Sequence, residues 1–581
     1  MNIKDNITVL KFGSSVLRSE ADLPKVVHEI YRAWREGQQV IAVVSAFGDT
    51  TDQLLRRAEN LCGQPDKSAL ATLLATGESA SSALLVLALS RAGIPARVFD
   101  AAQIGLRTTG GRLDADPISV DSARLVSESR RSVVVLPGFV GRGESGDTTL
   151  LGRGGSDLTA LFLAHRLSAR CVLVKDVNGL YTSDPACRAV CASRFAEASY
   201  KTAAQVGGSV VQLKAVRFAE ANRLRFSITS IGSGKATEVG PITDRLDNDA
   251  EPSEPLRVAL LGCGTVGGGV YQRLAAMPEL FTVVGVGTRT GKGPSAVGVP
   301  SNLDTSDLEA LVERPCDVVV ELIGGTKRAA ALVESSLRLG RNVITANKAL
   351  MASTDGDALE ILAEEAGASL RYSAAVGGVL PALETVNRAK MVGPLKGFSG
   401  VLNGTCNFVL DRIAAGASMS TAVRDAQDLG YAEAQPQFDL SGIDAAQKLI
   451  LLTRAAFGIS PRLESIPRKG IEELNNQKLR QAEQQGQVIR LVARCYVSEK
   501  GIESRVEPIA LPLNHPLAQT HGAENCLLIE PEVGEPWVIS GTGAGRWPTT
   551  EAVMADLFDL RRAAQLLETS GELEELEECV A

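Results

Sequence analysis

Asp444 and Lys448 stand four residues apart in "GYAEAQPQFDLSGIDAAQKLILL", with Glu433 and Asp439 just before them. On a helix that spacing puts acid and lysine on one face. If the face lines a cleft, the acids can hold a substrate ammonium and the lysine can transfer a proton. On open surface the two are an ordinary ion pair. Lys348 follows a β-branched run in "VITANKAL", and "LNGTCNF" (402–408) is a turn rich in amides and hydroxyls. Upstream, "VALLGCGTVGGG" sets Gly262-x-Gly264-x-x-Gly267 between a strand and a helix-like segment. Glycines there permit a tight turn and close backbone approach, and the helix N-terminus favours a pyrophosphate. Gly262, Gly264, Thr265, Val266 and Gly267 are therefore candidate dinucleotide contacts; without a ligand they make a tight strand–helix turn. The second strand ends "GVGTRTGKG", with Arg289 and Lys292 and no acid. That suits the 2′-phosphate of NADP better than the ribose of NAD, unless both are solvated loop cations.

A second set of residues lies in the first half. "VLKFGSSVL" places Lys11 at a strand end before a small-residue turn, Gly13 and Ser14. Backbone N–H groups of such a turn can meet phosphates while the lysine neutralises charge; taken alone, the segment equally fits an ordinary strand-to-helix turn. "LATGESASSALL" offers Glu78 at an expected helix start. "GDTTLLGRGGSDLTALFLA" puts Arg153, Ser156 and Asp157 immediately before an apolar helix. This is an anion pocket at a helix N-terminus with a carboxylate beside it; Ser156 or Asp157 would equally serve as N-cap.

The elements that must position these groups form two α/β halves. With 581 residues the chain exceeds one hydrophobic core, and roughly 100–200 residues per domain gives three or four. In the first half "ITVLKFG", "QQVIAVVSAFG", "SVVVLPGFVG" and "RCVLVKDV" alternate with helical patterns; in the second "LRVALLG", "TVVGVGT", "CDVVVELIG" and "RNVITANK" do so. Alternation of this kind implies mostly parallel sheets. The boundaries read as 1–235, a Pro-rich acidic linker 236–255, a dinucleotide-binding domain 256–394, an α+β domain 395–563 that returns to the dinucleotide-binding domain near 541–563, and an acidic tail 564–581. The net charge of −8 gives no reason to expect a nucleic-acid or membrane-surface partner. The apolar runs read as strand-sized, short of a membrane span. Ten cysteines and four histidines are scattered without a Cys-x-x-Cys or other zinc pattern, which fits thiols in a reducing cytoplasm.

Residues 256–563 resemble the homoserine dehydrogenases. The motifs are "GCGTVGGG", "VVVELIGG", "VITANKAL", "VLNGTCNF", "GYAEAQPQFDLSGIDAAQKL" and "GTGAGRWPTTEAVMADL". The resemblance implies a Rossmann domain with an α+β substrate domain, and reversible NAD(P)-dependent reduction of aspartate semialdehyde to L-homoserine. It implies that Lys348 and Lys448 flank the reacting carbon, one of them delivering the proton. Glu433 and Asp439 would bind the amino acid, Asp444 would position Lys448, and Gly541, Gly543 and Ala544 would close near the cofactor. A homo-oligomer, dimer or tetramer, is implied, as is a Na⁺ or K⁺ ion held here by the carbonyls of Val376 and Gly378. This chain has Ser373 where that ion site has an acid, Gln435 before Pro436, and Phe438 where an acid is usual.

Residues 7–235, with "VKDVNGLYTSDP", resemble the aspartate kinases of the amino-acid-kinase fold. This implies an α/β sandwich that transfers the γ-phosphoryl group of ATP, with Mg²⁺, to the β-carboxylate of aspartate. Lys11 would stabilise the moving phosphoryl group. Glu78, Arg153, Ser156 and Asp157 would hold aspartate. Gly13, Ser14, Asp176, Tyr181 and Asp184 would lie near the nucleotide. Ser14 replaces the usual glycine, Val16 a serine and Lys175 a threonine. The expectation is a cytoplasmic bifunctional enzyme of small molecules, without the ACT regulatory domains of related fusions and so without threonine feedback through them. The alternatives are a first half that serves as a non-catalytic assembly or regulatory module, and a second half that acts on another amino-acid semialdehyde.

Overall fold

A computed structural model describes residues 6–185, 192–208, 210–247, 254–289, 297–432 and 436–580. The chain divides into two compact units. One contains Met1–Arg91, Pro95–Ser253 and Arg561–Ala581; the other contains Ala92–Ile94 and Glu254–Leu560.

The first unit is built on a nine-stranded sheet. Its centre is parallel, in the order Phe226–Ser230, Arg170–Lys175, Ile7–Phe12, Gln39–Val44, Val133–Pro137. Near-continuous runs of Val, Ile and Leu suit strands covered on both faces, and all six residues of Ile7–Phe12 are buried, Lys11 among them. Helices Leu23–Arg35, Lys67–Arg91 and Gly155–Leu167 accompany these strands. Lys67–Arg91, at 25 residues, is long and apolar enough to cross a membrane, so the apolar runs are not all strand-sized. It packs Leu70, Leu74, Leu85 and Leu89 away from solvent. The expected linker is not all linker. Thr237–Gly240 and Arg245–Leu246 are strands of this sheet. Thr237 is fully buried, accepting from Leu180 N and donating to Phe195 O.

The second unit opens on six parallel strands: Leu256–Leu261, Phe281–Gly287, Asp304–Thr305, Val318–Glu321, Asn342–Thr345 and Leu370–Arg371. Numbered in that order, they lie 3-2-1-4-5-6. Strand order reverses between strands one and four, where a ligand crevice is expected. A five-stranded antiparallel sheet follows, ordered Gly501–Pro512, Gln487–Ser498, Leu395–Val401, Glu524–Pro531, Trp537–Thr542. Helices Gly404–Ala414 and Ile443–Phe457 share a core with it through Val409, Leu410, Leu449, Leu452, Phe398 and Leu491. The helix Arg546–Val580 buries Val553, Leu557 and Phe558 with Val258, Leu260 and Phe281 of the first sheet. It continues as helix through most of the acidic tail. Cys62, Cys171, Cys263, Cys316, Cys406, Cys495 and Cys526 are free thiols.

Candidate active sites

Two of the three fingerprint glycines answer to the protein's own packing. Gly262 has φ +106°, and a Cβ there would stand 2.7 Å from Leu322 O, across the reversal of strand order. A Cβ on Gly267 would stand 2.0 Å from Gly262 O. Gly264, the N-cap of helix Thr265–Ala275, differs: a Cβ there meets nothing within 4 Å. Open space before a helix N-terminus, with Thr265 and Val266 in the first turn, fits a pyrophosphate. Arg289 is exposed just beyond strand two, and Lys292 lies outside the described residues. Asp304 enters here as an acid from the neighbouring strand, its Oδ1 accepting from Thr288 Oγ1 at 2.6 Å.

Glu321 ends strand four with no exposure. Its Oε1 accepts from Ile323 N at 2.9 Å and Gly324 N at 3.3 Å, and its Oε2 accepts from Thr345 Oγ1 at 2.5 Å. Asn347 donates to Gly325 O at 2.6 Å and caps helix Lys348–Met351. One buried carboxylate thus braces the ends of strands four and five, and Lys348 leaves from that brace. Gly541 pairs with Asn525 in the antiparallel sheet. Gly543 lies so close to the Asn525 amide that a Cβ would overlap it. Gly378, φ +53°, passes Gly543 O so closely that a Cβ would stand 3.0 Å away. The loop ending at the exposed Ala544 therefore lies against the Val376–Gly378 turn. Carbonyls there are neutral donors, Ser373 brings no carboxylate, and among the described residues no cluster of three His, Cys, Asp or Glu side chains could hold a metal. Neutral carbonyl oxygens are ordinary ligands of alkali ions, so those of Val376 and Gly378 suit such an ion without a carboxylate.

Asp444 lies in the first turn of Ile443–Phe457, 4% exposed. Lys348 Nζ lies 2.6 Å from its Oδ1 and Lys448 Nζ 3.0 Å from its Oδ2. Burial alone would push this carboxyl up, but Lys448, Lys348 and the Asn403 amide outweigh it and hold it well below the usual carboxylate range. This is no surface pair: Lys448 is as buried as Asp444 and also donates to Leu402 O at 2.7 Å. Asn525 donates to the same carbonyl at 3.0 Å. Asn403 caps Gly404–Ala414 through its Oδ1, which leaves its Nδ2 to bridge Asp439 Oδ1 at 2.7 Å and Asp444 Oδ2 at 2.8 Å. Asp439 moves the other way: burial, then the charge of Asp444, raises it. Glu433 lies outside the described residues.

In the first unit three buried charges meet at the carboxyl ends of adjacent strands. Lys11 Nζ lies 2.7 Å from Asp157 Oδ1; Lys175 Nζ donates to Oδ1 at 3.0 Å and Oδ2 at 2.9 Å. Burial pushes Lys11 down to about 8, against the pull of Asp157. Burial would raise Asp157, but Lys11 and Lys175 outweigh it and hold it low. Helix Gly155–Leu167 is capped by Gly154 at φ +76°, so neither Ser156 nor Asp157 is the N-cap and Asp157 is given over to the lysines. Gly13 leaves room for the Lys11 ammonium, since a Cβ would stand 2.7 Å from Nζ. Val16 and Leu17 N–H close that turn on Gly13 O, with Ser14 exposed. Ser156 is buried where Gly138 passes it.

Glu78 is not at a helix start. It lies in the middle of Lys67–Arg91, 3% exposed, because Gly77 packs within the helix, where a Cβ would stand 3.0 Å from Ala46 Cβ. Burial pushes its carboxyl up to about 7, against a hydrogen bond from the Ala46 backbone. Its Oε2 has no hydrogen-bond partner among the described residues. Such a group is costly until a donor or cation arrives. Arg153, Asp176 and Asp184 stand exposed on flanking loops, and the Tyr181 hydroxyl bonds Asn178. A cavity of about 490 Å³ opens at the other end of the same strands, beside Arg170, Cys171, Phe226 and Ser227, and holds none of these residues.

A parallel sheet ordered 3-2-1-4-5-6, an open helix N-terminus at its reversal and two lysines sharing one buried carboxylate define a dinucleotide-dependent oxidoreductase. The chain belongs to the homoserine dehydrogenase family. Residues 262–373 match the homoserine dehydrogenase NAD-binding domain and residues 381–558 the homoserine dehydrogenase family model. The homoserine dehydrogenase of Neisseria gonorrhoeae is 32% identical over 326 residues, covering 54% of this chain and 74% of that protein. That of Corynebacterium glutamicum is 34% identical, covering 54% and 73%. The solved homoserine dehydrogenase of Thiobacillus denitrificans superposes with a TM-score of 0.51 at 36% identity, covering 54% and 74%. Residues 6–230 match the amino acid kinase family.

Sequence reasoning assigned no roles to Asn403, Asn525 or Glu321. Asn403 carried one usable signal, an asparagine just before a helix. The bridging by its other end did not follow from that.

Proposed function

We propose that one chain carries two activities: ATP-dependent phosphorylation of L-aspartate to 4-phospho-aspartate, and NADP-dependent interconversion of aspartate semialdehyde and L-homoserine. Asp444 shared between Lys348 and Lys448 carries the second reading. A bound reduced nicotinamide would supply hydride to the aldehyde carbon. The chain's own residues hold the amino acid and manage the proton. Asp439, with Glu433, takes the substrate ammonium. The lysine pair donates a proton to the substrate oxygen as negative charge develops there, and accepts it in the reverse direction. Asp444 holds both ammonium groups in place, and Leu402 O with Asn525 fixes the reach of Lys448. Arg289 suits the 2′-phosphate of NADP, which makes NADP the preferred form. The free thiols suit a reducing cytoplasm, and the family resemblance supports a homo-oligomer.

The Lys11–Asp157–Lys175 cluster and the open Oε2 of the Glu78 carboxylate support the kinase reading. A buried acceptor without a donor fits the ammonium of aspartate, and the buried Lys11 ammonium fits a transferring phosphoryl group. Magnesium arrives with the nucleotide. As departures from the usual residues, Ser14, Val16 and Lys175 favour the alternative, a kinase-like module without turnover, and the intact Arg153–Asp157 segment opposes it. The test is aspartyl-hydroxamate formation with ATP, Mg²⁺, aspartate and hydroxylamine, beside homoserine oxidation with NADP. Both products are expected, and Lys11→Met should remove only the hydroxamate. Homoserine oxidation with no hydroxamate would establish the non-catalytic module.

A further inference from the structure

Lys175 has no part in the reading above beyond its contact with Asp157. Strands Ile7–Phe12 and Arg170–Lys175 are parallel neighbours with Lys11 opposite Leu173. Side chains alternate along a strand, so Lys175, two residues beyond Leu173, points to the same face as Lys11. Both ammoniums reach one carboxylate, Asp157, and all three groups are under 8% exposed. Two cations and one anion leave one positive charge unbalanced. Neither lysine is ion-paired to any other acid among the described residues. A buried charge in that position calls for an anion.

We propose that Lys175 is a catalytic residue of this site: its ammonium and that of Lys11 together grip the γ-phosphate of a nucleoside triphosphate, with Asp157 as the shared counter-charge. The inference rests on the kinase reading of the first unit. A carboxylate oxygen of the acceptor forms a bond to the γ-phosphorus as the bond from phosphorus to the β–γ bridging oxygen breaks. The electron pair leaves on the nucleoside diphosphate and no proton moves. Charge spreads over the γ-oxygens during this step, and two fixed ammoniums meet it better than one. Lys175 also helps to depress Lys11, and an arriving phosphate would reverse that depression.

A merely structural Lys175 would serve to neutralise Asp157. In Lys175→Met, Asp157 keeps Lys11, the pair is balanced and the fold should stand. Lys175→Gln retains a donor for Asp157 without the charge and is the second variant. The full-length chain is titrated with Mg²⁺–adenylyl imidodiphosphate and with Mg²⁺–ADP, and homoserine oxidation reports intact protein. We expect both variants to bind the triphosphate analogue at least ~10-fold more weakly and ADP within ~3-fold of the parent. Hydroxamate kcat should fall ~100-fold, the size of one lost transition-state donor, with the KM for aspartate within ~3-fold. Lys175→Arg should restore part of both. An unchanged preference for triphosphate over diphosphate in the variants, or no such preference in the parent, overturns the proposal. A parent that makes no hydroxamate yet shows a Lys175-dependent preference refutes the aspartate kinase reading and leaves the clamp standing.

Discussion

Glu78 and Asp444 are both buried carboxylates, and their surroundings send them in opposite directions. Asp444 has two ammoniums and an amide. Glu78 has a backbone contact and an oxygen left over. With its folded value raised to about 7, Glu78 in the substrate-free protein holds a proton that the unfolded chain has already released. Stability is therefore lost as pH rises through that window, the reverse of a salt-bridged acid. Glu78→Gln should raise the melting temperature at pH ~8 and leave it nearly unchanged at pH ~5, while aspartate binding collapses. In the parent, the KM for aspartate should rise roughly tenfold between about pH 8 and pH 6, because only the ionised carboxylate can take the ammonium. A variant equally stabilised at both pH values, or a flat KM profile in the parent, would refute this role. The Asp444–Lys448 contact was legible because it is local, one helical turn. The Asn403 contacts to Asp439 and Asp444 join residues 36 and 41 apart and had no local signature.

At the scale of elements, the strand–turn–helix around Gly262 was legible because sterics write it into the sequence, and the three glycines divide its labour. A methyl on Gly267 meets the Gly262 carbonyl at 2.0 Å, whereas one on Gly264 meets no protein atom. Gly267→Ala should destabilise by ~1–3 kcal/mol as the helix is forced off the strand. Gly264→Ala should melt like the parent, or slightly above it since glycine is the more flexible in the unfolded chain. Its KM for NADP should nevertheless rise at least ~10-fold, because the methyl occupies the space meant for the pyrophosphate. Thermal melts with initial rates decide it; a Gly264→Ala enzyme with the parent's KM would mean that the cofactor phosphates lie elsewhere. Other elements were misread for physical reasons. Gly77 looked like a helix boundary, yet it sits inside Lys67–Arg91 so that the helix can approach Ala46. Residues 236–255 looked like linker because they are acidic and Pro-rich, yet two short strands there complete the sheet.

At the scale of the molecule, each unit has a hydrophobic core drawn from its own residues. Leu10, Val43 and Leu173 lie buried in the first, and Leu260, Phe281, Leu449 and Leu527 in the second. Chemistry also separates the two proposed sites. The first would release an acyl phosphate and the second would take an aldehyde, so a reductive loss of phosphate must come between them from another enzyme. An intermediate that leaves the chain in order to be reduced has no cause to return to the same copy. The two sites should therefore work as well on different chains as on one. Asp157→Asn should abolish hydroxamate formation and leave homoserine oxidation within ~2-fold. Asp444→Asn should do the opposite, with a fold weakened by ~3–5 kcal/mol because Lys448 is left buried without its charge partner. Equal amounts of the two variants, given aspartate, ATP, NADPH and a separate acyl-phosphate reductase, should make homoserine at the parent's rate per working site. A mixture falling several-fold below that rate, with each activity intact when assayed alone, would show that the intermediates pass preferentially between the two sites of one chain.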